Sequence, residues 1–80
     1  MKLPRDISGS ELARLLEKYG YQVTRQTGSH IRLTTQQKGE HHITIPAHKE
    51  LRIGTLSAIL TDVADHLDIS RDELIQELFD

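Results

Sequence analysis

A chain of eighty residues buries only about 60% of the surface its unfolded form exposes, which supports one modest core and excludes a deep enclosed cavity. It contains no cysteine, so disulfides and thiolate metal sites are excluded, in keeping with a reducing compartment. The net charge of −2 hides an asymmetry: residues 1–60 hold nine Lys and Arg against five Asp and Glu, whereas residues 61–80 hold one against seven. A mildly basic body suits contact with phosphate, and the acidic tail either faces something else or shields that body.

Ser8 followed by Glu11 is a capping box, and Leu12, Leu15, Leu16 and Tyr19 recur at helical spacing, so a helix of about three turns is expected from near Gly9. Gly20 stands where a left-handed residue closes a helix, with Tyr21 placed to fold back on Leu16. Alternation from Tyr21 to Gln26 predicts a first strand, with Tyr21 and Val23 on one face and Gln22, Thr24 and Gln26 on the other. Thr27-Gly28 is the expected hairpin turn, Ser29 to Thr35 the second strand, Gln36 to Gly39 a polar loop, and Glu40 to Ile45 a third strand stopped by Pro46. Residues 47–52 read as a connection. Gly54-Thr55 opens a second helix along Leu56, Ile59, Leu60, Val63 and Leu67. Ser70 with Glu73 is a second capping box, with Ile69 and Leu74 as a hydrophobic staple, and predicts a short third helix over Arg71–Phe79. The fold class is α+β: a helix, a three-stranded antiparallel meander and a helix, with an extra C-terminal helix, in one domain of residues 1–80 whose core is about 3–67. The opening Met1–Asp6 lacks the apolar run of a signal peptide, and no stretch reaches the length of a membrane span, so a soluble cytoplasmic protein without a membrane partner is expected.

Side chains alternate across a strand. If the apolar faces share one core, the open face therefore carries Gln22, Thr24, Gln26, His30, Arg32, Thr34, His42 and Thr44. It offers no aromatic platform for stacked bases. His30 is the candidate base or acid, because imidazole is the usual neutral-pH proton carrier, and Arg32 is the nearest candidate phosphate contact. Lys49, Arg52 and the amides that open the second helix are further phosphate candidates. Ser29 and Gly28 shape the turn before His30, with Ser29 also a candidate RNA contact. For each of these residues the plain alternative is a solvated surface side chain.

Several short runs, taken in order, resemble one family. They are Ile7-Ser8-Gly9-Ser10-Glu11-Leu12, Leu15-Leu16-Glu17-Lys18-Tyr19-Gly20-Tyr21, Arg25-Gln26-Thr27-Gly28-Ser29-His30, Pro46-Ala47-His48, and Gly54-Thr55-Leu56 with Ile59-Leu60. Over about residues 3–60 the chain resembles the HicA, or YcfA-like, toxins. The resemblance implies a fold like the double-stranded RNA-binding domain and an mRNA-cleaving toxin that arrests translation. It further implies a HicB-type antitoxin partner, in a toxin–antitoxin hetero-oligomer or beside a homo-oligomer, and a catalytic histidine in the Gly-Ser-His motif, which falls on His30.

No cofactor is expected. A zinc site through His30, His41, His42 and His48 is disfavoured, because His41 and His42 point to opposite faces of one strand. His41 is expected to be half-buried against a neighbour, and His66 to lie on the helix surface. Two classes of function follow: a ribonuclease acting through His30, or a module of the same fold that binds RNA or protein without cutting.

Overall fold

The computed structural model describes residues 3–79. Helix α1 spans Gly9–Leu15 and runs into a 3₁₀ turn at Leu16–Tyr19. Both halves of the first capping box form: the Ser8 amide donates to Glu11 Oε1 at 3.0 Å and the Glu11 amide to Ser8 Oγ at 3.0 Å. The Ser8 amide and then its hydroxyl hold the Glu11 carboxyl below the usual carboxylate range. Gly20 closes the turn at φ 81°, and the Tyr21 amide donates back to the Leu16 carbonyl.

Strands β1 (Gln22–Thr27), β2 (His30–Thr35) and β3 (His41–Pro46) form an antiparallel sheet in that order. Helices α2 (Ile53–Leu67) and α3 (Arg71–Phe79) complete the chain. This is the expected helix, meander, helix and extra helix. α1 packs on β2 and β3, α2 packs on β3, and α3 packs on α2. Ile31, Leu33, Ile43 and Ile45 point into this layer together with Leu12, Leu16, Leu56, Leu60 and Val63, while the opposite sheet face is open. Thr35 is the one buried polar residue among those described, satisfied by donating to the Tyr19 carbonyl.

Boundaries shift by a residue or two. The hairpin loop is Gly28-Ser29, since Thr27 pairs with His30, and Gly28 takes φ 53°, the positive angle that the first position of a type II′ turn requires. α2 begins at Ile53, with Arg52 as an N-cap that offers no side-chain acceptor.

The larger correction is in β1, whose six residues are all exposed. Val23 pairs with Leu33 but Arg25 pairs with Arg32, so Thr24 is an inserted residue and the strand carries a bulge. Beyond it the faces exchange: Gln26, opposite Ile31, turns to the helix side, and Arg25 turns to the open face. Val23, expected under cover, is 51% exposed because α1 lies over β2 and β3 and leaves this edge bare.

α3 is docked. Leu74, Ile75 and Leu78 are buried, the Ser70 hydroxyl accepts the Glu73 amide, and the Lys18 ammonium donates to the Glu77 carbonyl at 3.0 Å. The Tyr19 hydroxyl donates to the Glu77 carboxylate; burial and then this carboxylate push its ionisation well above the usual tyrosine range.

Candidate active site

Three rows of side chains cross the open face of the sheet. Thr27, His30 and Pro46 form the first, Arg25, Arg32 and Thr44 the second, and Gln22, Thr34 and His42 the third. Thr34 and His42 of the third row belong to a hydrogen-bonded chain that runs from Thr24 to Glu40. Thr24 Oγ1 lies 3.3 Å from Thr34 Oγ1, which lies 2.7 Å from His42 Nδ1, and His42 Nε2 is 2.8 Å from Glu40 Oε2. With Nε2–H donating to the Glu40 carboxylate, Nδ1 accepts from the Thr34 hydroxyl. His42 is therefore an anchored member of a relay across the sheet.

His30 differs from it. Its ring is exposed at the start of β2, and among the described residues it has neither a hydrogen-bond nor an ion-pair partner. Its backbone is held on both sides. It pairs with Thr27 and Pro46, and the carbonyl of Ser29 accepts the Ala47 amide at 2.7 Å. A further constraint comes from Gly9, whose amide donates to the His48 carbonyl at 2.9 Å. A Cβ on Gly9 would stand 2.0 Å from the Pro46 carbonyl oxygen, so only glycine lets the start of α1 press against the chain opposite His30. The imidazole is thus an exposed, unpartnered side chain on a firmly positioned backbone.

Arg32 is exposed two residues along the same face. Ser29 acts through its backbone, in the loop that presents His30. Lys49 is exposed on the connection that leaves Pro46. Arg52 sits farther along it, lining a groove of about 440 Å³ with Leu3, Arg5, Glu50, Leu51 and Ile53. The fold therefore gathers His30 and Arg32 on one face and places Lys49 and Arg52 on the loop that starts beside it. Arg25 and Arg5 were missed by pattern reading: only the bulge brings the first to this face, and only the pairing of Ile7 with Leu51 brings the second near the groove.

Two of the remaining histidines, His41 and His66, are structural, whereas His48 is exposed beyond Pro46 and, among the described residues, its ring has no hydrogen-bond or ion-pair partner. His41 faces the helices, where its Nδ1 lies 2.7 Å from the Tyr21 hydroxyl and its Nε2 3.1 Å from Asp62 Oδ1. Tyr21 is fully buried, and burial followed by the Asp62 charge pushes its ionisation up to about 12. His66, expected on the helix surface, is drawn into contacts there. It is half-buried and stacked on His41 with ring centroids 4.3 Å apart, and its Nε2 donates to the carbonyls of Gln37 and Gly39 at 2.8 and 3.0 Å. His41 and His42 do point to opposite faces. Among the described residues no group of three His, Asp or Glu side chains converges as a metal-ligand set, and no helix is long and apolar enough to cross a membrane.

Fold and surface together define a class: a small α+β domain whose helices cover one sheet face and whose other face presents an unpartnered histidine among cations. Residues 9–64 match the family model described as the HicA toxin of bacterial toxin–antitoxin systems. The chain belongs to the HicA toxin family, the toxin half of a pairing with an antitoxin. No curated protein and no solved structure matches it.

Proposed function

We propose that this HicA-family chain is a metal-independent endoribonuclease that cuts mRNA with His30 as its catalytic residue and is held inactive by a HicB-type antitoxin. The observation that carries this reading is the His30 imidazole, exposed and unpartnered on a cationic sheet face, in a chain of a toxin family. Cleavage needs a proton acceptor for the 2′-hydroxyl, positive charge for the phosphorane and a proton donor for the departing oxygen. His30 takes the 2′-hydroxyl proton as that oxygen bonds to phosphorus. As the bond from phosphorus to the 5′-oxygen breaks, the imidazolium returns the proton to it, so the two fragments together retain every atom of the substrate. Arg32 stabilises the phosphorane charge, while Lys49 and Arg52 hold flanking phosphates. The test is arrest of growth on expression, with RNA cleavage measured in extracts with and without EDTA. Arrest by wild type, none by His30→Ala at equal protein level and cleavage indifferent to EDTA are expected. Activity lost in EDTA and restored by zinc or manganese would overturn the metal-independent mechanism.

A further inference from the structure

The bulge at Thr24 produces an arrangement that an ordinary sheet avoids. It sets Arg25 of β1 directly opposite Arg32 of β2 on the solvent face. Like charges at opposed positions destabilise a strand pair, and a carboxylate on one side would stabilise it. Here none is supplied. The third member of the row is the neutral Thr44, and β1 has no strand on its outer side. Glu40, just before β3, is held by His42. Among the described residues neither guanidinium has an ion-pair partner, and both are exposed.

We infer that Arg25 and Arg32 form an anion clamp for the phosphodiester backbone of RNA, a role that rests on the nuclease reading proposed above and adds Arg25 to its surface. Each guanidinium is a planar fork of five donors that matches phosphate oxygens two at a time, so two neighbouring phosphates of one strand, one on each guanidinium, satisfy both and offset their repulsion. The direction of the bound strand follows. His30 lies two residues along β2 from Arg32 on the same face, a separation of about 6.6 Å by the rise of a strand. RNA lying along β2 is gripped at the arginine row while a neighbouring stretch of its backbone meets the imidazole. The hydrogen-bonded chain of Thr34, His42 and Glu40 lies beyond the clamp and ends in a carboxylate, which repels the strand and limits the site on that side.

Binding of a fluorescein-labelled single-stranded RNA of mixed sequence, followed by anisotropy over a series of NaCl concentrations, tests the clamp. The measurements use His30→Ala protein, so that the result does not depend on whether His30 cuts. Each neutralised phosphate contributes about 0.7 to the slope of log K against log salt for a single strand. The slope is expected to fall by about 0.7 for Arg25→Gln and again for Arg32→Gln, and to be kept in Arg25→Lys, with Arg25→Gln melting at or above its parent because a repulsion is gone. An unchanged slope in folded Arg25→Gln protein, or no RNA binding at low salt, overturns the proposal. So does displacement of the RNA by poly-glutamate as effective as by polyphosphate, which would assign the pair to the carboxylates of a protein partner.

Discussion

Leu74→Ala separates two roles for the acidic C-terminal helix. Leu74 has no exposed surface and stands one turn into α3, beside the Ser70 cap and against α2. Truncating a leucine in such a position costs about 2–5 kcal/mol, through lost burial and the cavity left behind. A domain of this length has about 4–12 kcal/mol of total stability, so a sixth of it or far more is at stake. At about 4–8 °C per kcal/mol the midpoint should fall by about 8 °C or more in a thermal melt followed by circular dichroism. Truncation after Leu67 should lower it too, with little change in RNA affinity, since the exposed charges of Asp72, Glu73 and Glu77 are screened within about 8 Å at physiological salt. The reasoning is refuted if both variants melt with wild type while the truncated chain gains RNA affinity at low salt and loses the gain at high salt. The helix would then be an electrostatic guard.

Gly9→Ala should lower the melting midpoint by an amount equivalent to about 1–3 kcal/mol, because its Cβ would meet the Pro46 carbonyl at 2.0 Å; an unchanged melt would show that the strand end gives way freely. Stability should also fall in alkali. The folded state holds the Tyr21 proton more tightly than the unfolded chain, so this contribution is whole below about pH 10 and disappears as pH rises through about 12. Denaturant titrations across that range should show a smaller alkaline loss in Tyr21→Phe, and equal losses in the two proteins would contradict the assignment.

The parts of the fold legible in the sequence rest on neighbours in the chain. The Ser8–Glu11 box, the left-handed Gly20, the alternation of Ile31 with Leu33 and of Ile43 with Ile45, and the stripe from Leu56 to Leu67 are local patterns that tertiary packing left intact. What escaped depends on distant partners. No glycine marks the bulge at Thr24, which is defined only by its pairing with β2, and it exchanged the faces of Arg25 and Gln26. His66 lies on the flank of an apolar helix stripe and reads as a surface residue, since neither the carbonyls of Gln37 and Gly39 that accept from its Nε2 nor the His41 ring stacked on it is a neighbour in the chain. His30 and Arg32 were legible as a pair because they sit two apart on a regular strand, whereas Arg25, their neighbour across the hairpin, was hidden by one inserted residue.

The central claim is that the His30 imidazole carries the proton in RNA cleavage. Single-turnover cleavage of a structured RNA by purified wild type and His30→Ala, with circular dichroism of both, addresses it directly. An acid–base group of this kind contributes about 10²–10⁴-fold, so the folded variant should lose cleavage by at least that factor, the more so as no second imidazole shares its row of the sheet. Cleavage at the wild-type rate by folded His30→Ala protein would contradict the claim.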